Sequence, residues 1–167
     1  MPGLKSMSTS LSIAGRSYFL FEPDPTSFKL FSDHQPYIKL HGSFNWMQDQ
    51  GSMLILGGNK ASNIEKYPLL KWYHELFRAD LESEDVRLMI IGYSFNDAHI
   101  NETITNAISK RRNMRVFIID PDGVDILDKR KKNAPIPQPL SDAPPSRSYF
   151  AIGDWSVEKA FAFNFRG

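Results

Sequence analysis

The sequence predicts an α/β fold built on a parallel sheet. Three observations carry that expectation. RLMIIG (Arg87 to Gly92) is an unbroken apolar run of strand length, the pattern of a strand buried on both faces. MRVFIIDP (Met114 to Pro121) is a second such run. Between them Ile100, Ile104, Ala107 and Ile108 recur at the spacing of one helical face. Strand, turn, helix and strand within about 35 residues make a βαβ unit, whose strands lie parallel.

The remaining elements follow in chain order. Residues 1 to 16 are rich in Ser and Gly and read as loosely structured. SYFLFEP (Ser17 to Pro23) is a short strand, broken by Glu22-Pro23-Asp24-Pro25. PYIKL (Pro36 to Leu40) reads as a strand running into His41, with Pro at its start where a missing N–H does least harm. SMLILGG (Ser52 to Gly58) is a third strand, closed by two glycines. GGNKAS (Gly57 to Ser62) lacks the spacing of a phosphate-binding P-loop and reads as an ordinary loop. PLLKWYHELFRADLES (Pro68 to Ser83) is an amphipathic helix, with Pro68 in the first turn. In the βαβ unit Asn96 or Asp97 caps the helix, and Lys110, Arg111 and Arg112 stand near its C-terminus, where cations are favoured. Gly123 to Lys132 reads as a short helix, Asn133 to Ser146 as a Pro-rich linker, and the last residues as a strand and a short helix. The expected organisation is one domain over residues 1–132, a linker over 133–147 and a terminal segment over 148–167.

Composition narrows the chemistry. The chain has 167 residues and a formal net charge of +1, so no global field draws it to nucleic acid or to an acidic membrane. It has no cysteine, which excludes disulfides, thiolate nucleophiles and Cys-based zinc sites, and which suits a reducing, cytoplasmic setting. No run approaches the roughly 20 apolar residues of a membrane helix. The basic run DKRKKN (Asp128 to Asn133) is the sole hint of nucleic-acid contact; it reads as a solvated helix end, and no nucleic-acid partner is expected.

Candidate site residues lie where strands are expected to end, the position at which open parallel sheets bind ligands. Gly92 permits a sharp turn and close approach of a ligand. Ser94 offers a hydroxyl near a helix N-terminus, where an anion is stabilised. Asn96 and Asp97 either bond ribose hydroxyls or simply cap the helix. Asp120 either bonds a ribose or is a turn residue before Pro121. His41, with Gly42 and Ser43 after it, is either a proton relay or a hydrogen-bonded structural histidine. His34, His74 and His99 offer less, and His34 and His41 with Asp33 have no metal-ligand spacing, so no metal is expected.

Together KLHGSFNW, the ILGGNK segment with its PLL-type helix, and IIGYSFNDAHIN followed by VFIIDP resemble the sirtuin-like family. More closely, they resemble its bacterial branch of silent information regulator-type domains from antiviral (phage) defence proteins. The resemblance runs from about residue 36 to 121. It implies a Rossmann-like parallel sheet flanked by helices, and nicotinamide adenine dinucleotide (NAD) as the substrate. His41 matches the catalytic histidine that relays a proton from a nicotinamide-ribose hydroxyl. Gly92 and Ser94 match the turn on ribose and phosphates, with Tyr93 inside it and Gly42 beside the histidine. Asn96 and Asp97 match the branch-specific extension of that turn, and Asp120 the strand end on the adenosine ribose. The four-cysteine zinc module of classical deacetylases is absent, which argues for hydrolysis of NAD over protein deacetylation.

Two family motifs do not occur here: the Gly-Ala-Gly turn that holds the pyrophosphate, and Thr-x-Asn, whose Asn positions the reacting water or ribose. The resemblance therefore implies the C-terminal part of the domain, without its N-terminal strands and with impaired activity. The exposed sheet edge would suit a homo-oligomer or a partner chain. The alternative is a non-enzymatic nucleotide-binding or oligomerisation module.

Overall fold

A computed structural model describes residues 1–30, 35–49, 51–110, 114–120 and 149–152. The chain divides into two compact units, residues 1–77 and 78–167. His34, Asp33, the helix expected at Gly123 to Lys132, the Pro-rich linker and the helix expected at the end of the chain lie outside the described residues.

The first unit carries a four-stranded sheet in the order β1-β2-β3-β4: β1 (Leu4–Ile13), β2 (Arg16–Pro23), β3 (Gly42–Gln48) and β4 (Gly51–Leu54). β1 and β2 form an antiparallel hairpin, β2 meets β3 in parallel at Phe21 and Trp46, and β3 and β4 are antiparallel. The first residues are thus a ten-residue strand rather than the loose segment expected. Serines occupy every second position from Ser6 to Ser12, with Met7, Thr9 and Leu11 between them. That is a strand period, hidden by the Ser-rich composition. The hairpin turns on Ala14 and Gly15, both at positive φ (49° and 74°), the backbone that tight two-residue hairpins need.

A second departure concerns Pro36 to Leu40. No strand forms there; the strand begins at Gly42. The Gly42 amide is turned back to the Lys39 carbonyl at 3.0 Å, which closes a turn where a ladder was expected. Ile38 and Leu40 still pack against the core, so the apolar pattern was correct about burial and wrong about backbone. A third is α1 (Lys60–Ile64), a single turn of helix in the segment read as a loop.

The core of this unit is Trp46, Met53, Ile55, Ile64, Leu69, Leu70 and Tyr73. Leu69, Leu70 and Tyr73 lie on one face of α2 (Pro68–Leu81), the helix read from its periodicity. Burying such side chains contributes about 1.5–3 kcal/mol each before entropy is counted.

The second unit holds a three-stranded parallel sheet in the order β5-β6-β7: β5 (Arg87–Ile91), β6 (Arg115–Ile119) and β7 (Tyr149–Ile152). β5 and β6 pair residue for residue from Arg87↔Arg115 to Ile91↔Ile119, joined through α3 (Ala98–Lys110). This is the βαβ unit that the sequence predicts. β5 is buried on one face only: Ile90 is covered, whereas Met89 and Ile91 are 43% and 49% exposed. The α/β class and the parallel sheet flanked by helices stand as expected. No helix among the described residues is long and apolar enough to cross a membrane.

Candidate functional site

His41 stands at the entry to β3 rather than at the carboxyl end of a strand. The carbonyls of its turn are all engaged. Lys39 O accepts from the Gly42 amide, and His41 O accepts from Ile55 N at 2.9 Å. Leu40 O lies 2.9 Å from His74 Nε2, so that nitrogen carries the hydrogen and donates it. The two imidazole centroids are 6.4 Å apart. Burial lowers the pKa of His74, opposed by its bond to Leu40 and by the charge of Glu65. His74 is therefore a neutral donor at pH 7, fixed to the turn that carries His41.

The side chain of Ser43 continues the network. Its Oγ accepts from Lys39 Nζ at 3.0 Å and donates to Asn45 Oδ1 at 2.9 Å. Asn45 Nδ2 in turn donates to Phe19 O at 2.9 Å. Gly42 has a demand of its own. Its φ is +75°, and a Cβ there would overlap the carbonyl oxygen of Met53 on β4 and lie 2.9 Å from the carbonyl carbon. The close approach of β3 and β4 requires this glycine, whatever else passes by.

In the second unit, Gly92 follows β5 at φ +60°. Its amide donates to Ile119 O at 3.1 Å, which seats the turn against the end of β6. Gly92 and Asp120 thus come together at the carboxyl ends of neighbouring parallel strands. Unlike Gly42, Gly92 has no atom within 4 Å of where a Cβ would stand. Ser94 and Asn96 are exposed and Asp97 is half-buried. The Asp97 carbonyl accepts from Ile100 N and Asn101 N at 3.1 and 3.0 Å, so Asp97, not Asn96, is the first residue of the helical ladder.

A buried clamp fixes this turn. Phe95 is 4% exposed and sits at φ +53°, a left-handed conformation that costs a non-glycine residue roughly 1–2 kcal/mol. Asn101, equally buried, donates from Nδ2 to Phe95 O at 2.8 Å. Tyr93 donates its hydroxyl to Asn101 Oδ1 at 3.0 Å, with Asp97 O at 3.3 Å. Burial, then the nearby charge of Asp97, pushes the Tyr93 hydroxyl up to about 12, so it remains a protonated donor at neutral pH. Tyr93 was expected to contact a cofactor; its hydroxyl serves the turn itself.

Asn101 was missed in the sequence. The available signal was a polar residue between Ile100 and Ile104 in the apolar stripe of α3. Lys39 was also missed, because its partners Ser43 and Trp46 are set by the turn, not by spacing. The arrangement suits an anion or a hydroxyl-bearing ligand at the α3 N-terminus, with an exposed serine beside a turn that has room for it. The stretches belong to different sheets, His41 to Ser43 to the first and Gly92 and Asp120 to the second. Among the described residues, no three His, Asp or Glu side chains gather as metal ligands do.

Among known families, the model of the SIR2-like domain fits residues 7–136. No curated protein and no solved structure matches significantly.

Proposed function

The chain belongs to the SIR2-like domain family, and from that premise we propose that it binds NAD through the Gly92 turn and takes part in NAD hydrolysis through His41. The observation that carries the reading is the family match itself. It spans residues 7–136 and so includes both candidate stretches. The geometry fits a dinucleotide at the second stretch. Gly92 leaves open space above the sheet end, Ser94 exposes its hydroxyl, and the helix beyond is 13 residues long with its N-terminus at the turn. Asp120, at the end of the adjacent strand, would accept hydroxyls of the adenosine ribose.

NAD supplies the bond to be broken, the N-glycosidic link to nicotinamide. His41 would accept a proton from a nicotinamide-ribose hydroxyl and return it, the kind of help worth typically 10²–10⁴-fold. Asn96 and Asp97 would contact the ribose from the turn that leads into α3. The absence of cysteine favours water over acetyl-lysine as the acceptor of the ribosyl group, as in the defence-type branch. Neither Gly-Ala-Gly nor Thr-x-Asn occurs in these residues. We therefore assign binding to this chain and slow turnover at best.

The test is NAD titration by calorimetry, with nicotinamide release followed in parallel for the chain, Ser94→Ala and His41→Ala. The expected result is saturable binding that Ser94→Ala weakens, with turnover below about 1 s⁻¹. Absence of binding at millimolar NAD would overturn the nucleotide reading. Turnover of about 1 s⁻¹ or more, lost in His41→Ala, would overturn the assignment of impaired chemistry.

A further inference from the structure

We propose that β1 is a self-recognition strand, through which two copies of this chain pair edge to edge, antiparallel, about a two-fold axis at Thr9. The observations are independent of the NAD reading.

Among the described residues β1 is the outer strand of its sheet, paired only with β2. It is ten residues long, and Ser8 to Ile13 are all exposed. Long open edges are templates for another strand, and monomeric proteins usually disarm them with Pro, with charges or by cover. β1 has no proline. Its one charge, Lys5, is neutralised by Glu22 of β2 at 3.2 Å. From Ser6 to Ile13 there is no charge at all.

The choice of partner comes from the order of residues. Ser6-Met7-Ser8-Thr9-Ser10-Leu11-Ser12 reads nearly the same in both directions about Thr9. Antiparallel pairing about that residue sets Ser6 opposite Ser12 and Ser8 opposite Ser10. It sets Met7 opposite Leu11, and Thr9 opposite itself. Serine and threonine then meet hydroxyls and the apolar residues meet each other, the combinations that stabilise neighbouring strands. Lys5 falls opposite Ile13, and the two Lys5 ammonium groups stand about 26 Å apart, at ~3.3 Å per residue. That is well beyond the ~8 Å screening length at physiological salt. An isologous contact requires such a self-complementary strand; a different partner does not.

The register of β1 on β2 shifts between Ser6 and Ser10, so Met7, Ser8 and Thr9 have no register partner there. The centre of the pattern is therefore not committed to β2. A bulge can also twist an edge out of reach, and the experiment distinguishes the two cases. Pairing of one strand edge buries less than the ~1,200 Å² of a standard stable interface, so the dimer is expected to be weak, on the order of micromolar.

The chain has no cysteine, so a single introduced thiol reports register cleanly. Thr9→Cys places two thiols opposite each other, at a Cβ separation of about 4.5–5.5 Å. Ser12→Cys places them about 20 Å apart, since six residues separate them. Both positions are exposed, and circular dichroism verifies that each variant stays folded. The expected result under mild oxidation is a disulfide-linked dimer from Thr9→Cys and essentially none from Ser12→Cys. Sedimentation should show association of the parent chain that weakens at least tenfold in Thr9→Lys, where two like charges would face each other. Equal cross-linking of both cysteine variants, or none from Thr9→Cys, would overturn the proposal. So would a parent chain that is monomeric at several hundred micromolar.

Discussion

Gly42→Ala separates what the fold needs from what a ligand needs. Gly42 adjoins the candidate catalytic histidine, so loss of function on its replacement would ordinarily be read as a lost contact with NAD. The structure predicts a folding defect first. At φ +75° an alanine incurs about 1–2 kcal/mol of backbone strain. Its Cβ would overlap the Met53 carbonyl oxygen, a backbone atom that cannot swing aside as a side-chain tip can. Relieving that overlap parts β3 from β4, at a cost of about 1–3 kcal/mol for overpacking. The hydrogen bond from the Gly42 amide to Lys39 O and that from Ile55 N to His41 O would loosen too, each worth about 1 kcal/mol. The sum is about 4–7 kcal/mol, a large part of the 5–15 kcal/mol typical of a folded protein. Urea unfolding followed by Trp fluorescence measures it, because Trp46 is on β3 and fully buried. A Gly42→Ala chain within about 1 kcal/mol of the parent, but deficient in NAD binding, would refute the reasoning.

Two further substitutions test the networks around the candidate site. Asn101→Ala removes one hydrogen bond to Phe95 O and one from Tyr93, about 1 kcal/mol each, and regains about 0.5 kcal/mol of helix propensity. The expected net loss is roughly 1.5 kcal/mol in denaturant unfolding, and a loss under 0.5 kcal/mol would mean that the clamp does not hold the turn. His74 has a pKa lowered chiefly by burial, so the unfolded chain takes up the proton more readily than the folded one. The stability it contributes is present above the ordinary value of 6.5 and is lost as pH falls through the lowered folded value. His74→Gln keeps an N–H donor without a titration, so the parent should lose stability from pH 7 to 5 more steeply than the variant; parallel curves would sink this reading.

Much of the second unit was legible because its signals agreed. β5 and β6 are apolar runs of strand length, and α3 between them has a clear helical period. The parallel pairing follows from their order along the chain. The first unit was harder for physical reasons. β1 alternates serine with Met7, Thr9 and Leu11, so its period was visible only once composition was set aside. PYIKL has the residues of a strand, yet the turn that brings Gly42 against Met53 takes the backbone out of the ladder. That turn depends on β4, which is distant information for a reader moving along the chain. Asn101 and Lys39 were invisible for the same reason: each matters through partners that the fold supplies.

The two glycines of the candidate site show how far structure alone can assign function. Both have positive φ; Gly42 opens β3 and Gly92 follows β5, each at a residue the resemblance marks. Gly42 is accounted for by Met53, without reference to any ligand. Gly92 has nothing around its missing side chain, so packing does not account for it. Its φ of +60° does, in part, since a tight exit from β5 needs that backbone. The turn could, however, have been made with asparagine, which tolerates the same conformation but projects a side chain over the sheet end. A bare glycine there keeps the space above the end of β5 and β6 clear, next to Asp120 and the exposed Ser94. The same logic applies to the backbone around His41: Lys39 O, Leu40 O and His41 O all have donors within the unit, so that backbone is explained by the fold.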